Sequence, residues 1–343
     1  MESYDLICVG AGPTGLACAI EAVRAGLNPV VIDKAAICNS IFHYPANMVF
    51  FTTPELLEIG DLPLVCAGEK PTRLDALKYY RKAAEHYGLT CRLYEKVTHV
   101  DGRDGHFIVS ARTDRGEERA YRGTKVVVAT GYYDLPNELK VPGEDLAHVS
   151  HYYTEAHPYW NQDVVVVGGK NSAAEAALDL WRNGARVSMV HRDAELGRTI
   201  KYWVRPDIDN RIKAGQIPMH LKSTVREITR DMVVIENSSG QQRLPAKQVF
   251  LLTGYHPDFS FIESLGVKLD AVTRKPAIDP ETHESNVPGL YLAGVVIAGV
   301  HTSEIFIENG RFHGRQIVHA MTGGSPQTVS PIASKGNPEV EGL

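Results

Sequence analysis

The sequence has no cysteine after Cys91 and no CxxC pair anywhere. Its five cysteines, Cys8, Cys18, Cys38, Cys66 and Cys91, are odd in number. Disulfide scaffolds and zinc sites need paired, closely spaced thiols, so neither is expected. No apolar run reaches the roughly 18 residues of a membrane-crossing helix, so no membrane partner is expected. Blocks of like charge are also missing: 36 Lys and Arg against 41 Asp and Glu leave a net charge of −5. Binding to nucleic-acid phosphates depends on clustered cations, and that partner class falls away. The first residues start a strand-like segment with no basic leader, which points to a cytoplasmic protein. What is present is globular in character, with 43% hydrophobic and 22% charged residues. At about 150 residues per domain, 343 residues suit two domains.

Short apolar runs stopped by glycine organise the chain. Residues 5–10, Asp-Leu-Ile-Cys-Val-Gly, form such a run, followed by alanine-rich helical sequence from Pro13 to Ala25 and a second apolar run, Pro29–Asp33. Strand, glycine turn, helix and strand in this order imply a parallel sheet. The unit recurs at Asp163–Gly168, Ser172–Asn183 and Arg186–Val190. The two units are too far apart for a solenoid repeat, and they suit two nucleotide-binding domains in tandem. Three more apolar runs end in Thr-Gly or Ala-Gly, at Lys125–Gly131, Gln248–Gly254 and Gly289–Gly294. Such endings suit places where backbone approaches a ligand or crosses between domains. Pro136 and Pro257 are expected as stiff crossover points. Residues 324–343 are rich in Ser, Pro and Gly and are expected to form a flexible tail.

Gly10-Ala11-Gly12-Pro13-Thr14-Gly15 matches the dinucleotide fingerprint GxGxxG in its full context. Gly10 makes the turn, Gly12 admits a pyrophosphate, and Gly15 lets helix and strand pack. The helix N-terminus holds phosphate charge. Asp33 ends the next strand, where a carboxylate accepts ribose hydroxyls and repels a 2′-phosphate, so the site suits FAD or NAD. The second loop, Gly168-Gly169-Lys170-Asn171-Ser172-Ala173, has lysine for the second glycine and alanine for the third. Asn171 or Ser172 is expected to cap its helix. Its following strand ends in His191-Arg192, cations suited to a 2′-phosphate, with Arg198 and Lys201 adding charge, so this site is expected to take NADPH.

One acidic-ended and one basic-ended unit, joined through Thr-Gly strands, resembles the flavin oxidoreductases of the thioredoxin reductase type. Within that group the chain resembles the bacillithiol disulfide reductase family. The agreement lies in Asn39-Ser40-Ile41, His43-Tyr44-Pro45, Phe50-Phe51, the 168–173 loop, Ile200-Lys201, Tyr291–Val295 and Ile305–Gly314, and it spans the chain to about Gly323. The resemblance implies an α/β fold of two Rossmann-like three-layer domains. An NADPH domain, 135–254, would be inserted into a discontinuous FAD domain, 1–134 and 255–323. It implies FAD contacts from Gly10, Gly12, Pro13, Thr14, Gly15, Asp33, Lys34, Ser40, His43, Asn47, Val97, Thr130, Gly131, Gly294 and Val295. NADPH contacts are implied for Gly168, Gly169, Lys170, Asn171, Ser172, Ala173, His191, Arg192, Lys201 and Gly254. Thr14 stands where that family often carries cysteine, which excludes a mixed disulfide at this position. Val295 stands where thioredoxin reductases usually have aspartate, and their CxxC is missing.

The implied activity passes hydride from NADPH to flavin, and then electrons to a low-molecular-weight disulfide such as bacillithiol disulfide. A helix beginning at Thr302 or Ser303 is expected to aim its N-terminus at the flavin. His43, Cys38 and His301 are candidate catalytic residues, with Glu308 and His313 open for inspection; no metal is expected. The lone Cys38 reads more readily as a structural thiol than a redox one. The residues alone leave other readings open: a flavin monooxygenase or NADPH oxidase, a ferredoxin or flavodoxin reductase, or a non-enzymatic flavin redox sensor. A homo-oligomer is expected.

Overall fold

A computed structural model describes residues 1–323, and the expected tail lies outside them. The chain forms two compact units. One holds Met1–Phe42, Val49–Leu135 and the described residues from His256 on; the other holds His43–Met48 and Pro136–Tyr255. These borders lie one residue from those expected, and His43–Met48 group with the second unit rather than the first. The reason is local bonding: the Ala46 amide donates to the Thr154 carbonyl at 2.8 Å, and the His43 ring lies 6.1 Å from that of Tyr152.

The first unit begins with β1 (Glu2–Val9), α1 (Pro13–Arg24) and β2 (Pro29–Asp33). A single turn, α2 (Asn39–Phe42), and the helix α3 (Arg73–His86) precede β3 (Thr90–Leu93). Thr72 and Asp75 close the N-terminus of α3 by a reciprocal capping box. An antiparallel meander follows: β4 (Glu95–Arg103), β5 (His106–Thr113) and β6 (Glu118–Val128).

The second unit starts with β7 (Val149–Ser150), β8 (Asp163–Val167), α4 (Asn171–Arg182) and β9 (Arg186–Val190). Then come α5 (Arg205–Lys213), β10 (Met219–His220), β11 (Thr224–Ile228), β12 (Met232–Asn237), β13 (Gly240–Pro245) and β14 (Gln248–Leu251). Five strands form a parallel sheet ordered β10-β9-β8-β14-β7, and β11, β12 and β13 form a separate antiparallel sheet. The valine run of β8 divides by parity. Val164 and Val166 pack with Ala173, Ala177 and Ile208 of the helices, whereas Val165 and Val167 pack with Val233, Ile235 and Leu244 of the antiparallel sheet. A parallel strand covered on both faces must be apolar throughout, and that explains the run.

The chain returns to the first unit with α6 (Phe259–Ser264), β15 (Leu290–Leu292), α7 (Ile307–Gly310) and α8 (His313–Met321). Its sheet is ordered β3-β2-β1-β6-β5-β4, with β15 also on β6. Strand β6 pairs with β1 along one edge and with two strands in turn along the other. Its first half pairs antiparallel with β5, and Val126–Val128 pair parallel with β15. All of these parallel strands point their C-terminal ends toward the Gly10–Gly15 loop, where open α/β sheets bind ligands.

Three tyrosines of α3 and its C-terminal edge hold the 57–62 segment. The Tyr79 hydroxyl accepts the Ile59 amide at 2.8 Å and donates to the Leu62 carbonyl at 2.7 Å. Tyr80 donates to the Leu57 carbonyl at 2.9 Å, and Tyr87 donates to that of Gly60. Tyr79 is buried, so Tyr79→Phe strands an amide and a carbonyl away from water. A loss of about 1.5 kcal/mol is expected in urea unfolding, with an unchanged m-value. A loss under about 0.3 kcal/mol would mean that water replaces the hydroxyl.

Candidate functional site

In the first unit the fingerprint loop forms a cradle that only glycine permits. Gly10 has φ +114°, and a Cβ there would strike the Ala129 carbonyl. A Cβ on Gly15 would strike the Gly10 carbonyl itself. Gly12 is different, because a Cβ there would meet nothing within 4 Å. Gly12 is also the N-cap of α1, with no side-chain cap and Pro13 following. The first-turn amides of α1 therefore point their partial positive charge into open space, as anion binding requires.

Asp33 is tied to this loop. Its Oδ2 accepts the Ala11 amide at 2.6 Å and its Oδ1 accepts the Ala35 amide at 2.9 Å. Burial pushes its pKa above the ordinary value, against the two amide bonds that pull it down. A carboxylate accepts about four hydrogen bonds, so two acceptor positions remain for ribose hydroxyls. Beside the loop, the Thr130 hydroxyl is buried without a partner, and Gly131 follows at φ +73°. Gly294 lies against Thr14: a Cβ on Gly294 would sit 3.1 Å from Thr14 Oγ1. An uncapped donor end, a spare carboxylate capacity and an orphaned hydroxyl fit a bound dinucleotide such as FAD.

The remaining expected FAD residues are placed less uniformly. Lys34 forms an ion pair with Asp134 at 3.0 Å. Ser40 is half-buried in α2, and Val295 is half-buried after Gly294. The Val97 side chain is buried in the sheet core with Ile32, beside an irregularity of β4 between Val97 and His99. His43 and Asn47 are exposed, and both fall within the second unit.

One expectation about chemistry is corrected. No helix starts at Thr302 or Ser303, which lie in a turn; α7 begins at Ile307. Asn309 Oδ1 takes the Phe306 amide at 2.8 Å and closes that end, while Glu304 pairs with Lys275 at 2.6 Å. The four residues of α7 carry too few aligned peptides for a strong dipole. Cys38 is 1% exposed at φ +54°, and burial pushes its thiol well up. A reactive cysteine needs access and thiolate character, and Cys38 has neither. His301 is exposed beside the 302–304 turn, and Glu308 sits half-buried in α7. His313 is buried and accepts a backbone amide, so it is not an exposed acid.

In the second unit Gly168, at φ +149°, lies against the Leu252 carbonyl and Ala173. Lys170 is the N-cap of α4, which has no side-chain cap. The expected cap is corrected: Asn171 turns away, donating to the Thr199 carbonyl at 3.0 Å and accepting the Lys201 amide at 2.9 Å. Ser172 is exposed. The amides of this helix end stay available to phosphate, as in the first unit. The loop after β9 folds back, with the Gly197 amide donating to the Gly169 carbonyl at 2.7 Å.

The His191 ring fills the space above Gly169 and pairs with Asp193 at 3.2 Å; burial lowers its pKa. Arg192 and Arg198 are extended into solvent, their side chains 80% and 90% exposed. Each lies beside a carboxylate, Arg192 at 4.0 Å from Asp193 and Arg198 at 3.8 Å from Glu195. Lys201 is half-occupied by Glu175 at 3.2 Å, and Gly254 adjoins Asn137. Sequence reading missed Asp193 and Gly197, whose only signal is a charge and a glycine in the expected cofactor loop. Among the described residues there is no metal-holding cluster and no helix able to cross a membrane.

Comparison with known proteins agrees with this geometry. A family profile described as pyridine nucleotide-disulphide oxidoreductase matches residues 7–294. The bacilliredoxin reductase of Bacillus subtilis (strain 168) is 42% identical over 320 residues, 92% of this chain and 97% of that protein. The solved bacillithiol disulfide reductase from Bacillus cereus superposes with a TM-score of 0.91 at 40% identity, covering 94% and 99% of the two chains. The thioredoxin reductase of T. acidophilum superposes at 0.73 with 20% identity, covering 94% and 100%, which is a likeness of fold.

Proposed function

The chain belongs to the pyridine nucleotide-disulphide oxidoreductase family, in its bacillithiol disulfide reductase branch, and from that premise we propose an FAD-dependent reductase that oxidises NADPH and reduces a low-molecular-weight disulfide such as bacillithiol disulfide. The observation that carries this reading is the pair of uncapped helix ends, one beside a buried carboxylate and one beside exposed arginines. FAD, when bound, supplies the hydride-accepting and electron-passing chemistry. The α1 amides hold its pyrophosphate, Asp33 holds its ribose, and the Thr130 hydroxyl gains the partner it lacks. The α4 amides, Arg192 and Arg198 hold the phosphates of NADPH. Neither position 14 nor Cys38 relays electrons here, since Thr14 cannot form a disulfide and Cys38 is inaccessible. The five free thiols suit a reducing compartment, and a cytoplasmic homo-oligomer is part of the proposal.

The test is anaerobic. Added NADPH should bleach the yellow protein, and bacillithiol disulfide should restore the colour faster than oxygen or ferredoxin. A protein that binds no flavin, or that is reoxidised fastest by ferredoxin or oxygen, refutes the reading. Arg192→Ala is expected to raise the KM for NADPH about tenfold with little change for NADH, because one charge-assisted contact to the 2′-phosphate is lost. Equal effects on both cofactors would remove Arg192 from phosphate recognition.

A further inference from the structure

His313 opens α8 and is 6% exposed, and the sequence offered it only as a candidate acid. The Gly294 amide donates to its Nδ1 at 3.0 Å. Gly294 holds φ +76°, at the end of β15, and faces Thr14 of the fingerprint loop. Gly310 approaches the same hydroxyl, since a Cβ there would sit 3.0 Å from Thr14 Oγ1. The Thr14 side chain is thus enclosed by two glycine backbones.

The imidazole is also stacked, and its helix is seated on α1. Gly314, its neighbour, sits on the Ala17 and Cys18 backbone of α1, where a Cβ would be 2.8 Å from Cys18 Cα. His283 stacks on the ring with centroids 4.2 Å apart and planes at 28°. His283 Nε2 bonds Gln316 Oε1 of α8 at 3.0 Å, and its carbonyl accepts the Leu292 amide of β15 at 3.1 Å. His313 therefore ties α8 to the turn after β15, and Gly314 beside it seats α8 on α1. An amide can only donate, so Nδ1 must be the unprotonated nitrogen. Burial lowers the His313 pKa to about 3, which keeps it so.

We infer that His313 is a positioning residue for the flavin site: by accepting the Gly294 amide it sets the turn after β15 against Thr14 and completes the FAD cradle. This rests on the FAD reading above. A ring without that acceptor leaves the Gly294 amide unpaired in a buried place, and the turn is free to leave Thr14.

The test compares His313→Asn, His313→Gln and His313→Leu in the full chain. Readouts are the FAD dissociation constant by flavin fluorescence, the shape of the bound flavin absorption band, and folding by circular dichroism. The Asn amide oxygen replaces Nδ1, whereas that of Gln reaches the position of Nε2. Asn should bind FAD within about threefold of wild type with an unchanged band. Gln and Leu should bind at least tenfold more weakly, with an altered band. If Leu does not fold, Asn against Gln decides. Equal affinities and bands for Asn and Gln overturn the proposal, as does an unchanged Leu variant. Wild-type protein that takes up no FAD overturns the flavin reading as well, and is thereby distinguished.

Discussion

Gly12→Asp protein is expected to purify folded and colourless. The Gly12 Cβ position has nothing within 4 Å, so the new side chain meets no protein atom. It does enter the space before the uncapped α1 N-terminus, and it brings a negative charge to the place where a pyrophosphate would lie. Its own carboxylate can cap the helix, which stabilises the fold while occupying the anion site. FAD affinity should fall at least about 100-fold, about 2.7 kcal/mol. Gly15→Ala makes the contrast. Its Cβ would collide with the Gly10 carbonyl, and the expected result is protein that does not fold. Melting with added FAD checks both claims, because a ligand that binds only the native state raises Tm. Wild type should rise and Gly12→Asp should not. A yellow Gly12→Asp protein would place the cofactor elsewhere.

The contrast between these two glycines shows how far the sequence carries. Both belong to one motif, and the motif identified the loop. Only the coordinates separate a glycine that keeps a backbone contact from one that keeps room for a ligand. The two strand–loop–helix units were legible because β1 and β8 are covered on both faces, so their apolar runs are continuous. The β4–β6 meander was not. Its strands alternate buried and exposed residues, and β6 changes partner along its length. The expected caps failed for a shared reason. Asn171 and the Thr302–Ser303 pair have capping chemistry, but tertiary bonds decide its use: Asn171 serves the 199–201 loop, and Asn309 closes α7. His313 was open only as a candidate acid. Its acceptor role depends on burial and on an amide 19 positions earlier, neither visible locally.

Lowering the pH from 7 to 5 is expected to cost the protein about 2 kcal/mol of stability through His313 alone. The folded ring has a pKa of about 3, and the unfolded chain has the ordinary value near 6.5. Above 6.5 both states are neutral, and the contribution to stability is whole. Below it the unfolded chain takes up a proton that the folded chain refuses, so stability falls as pH falls, by about 1.4 kcal/mol per pH unit, until the folded ring titrates. His283 is pushed down by the same burial and acts in the same direction. Carboxylates contribute mostly at lower pH and are common to any variant. The measurement is therefore the difference between wild type and His313→Asn in urea unfolding at pH 7, 6 and 5. Asparagine does not titrate, so its loss should be smaller by about 2 kcal/mol at pH 5. Parallel losses would mean that the ring is protonated in the native state, which is incompatible with accepting the Gly294 amide. The same difference should appear in flavin retention: wild type should lose FAD on acidification at a higher pH than His313→Asn does, because only in wild type does the proton compete with that amide.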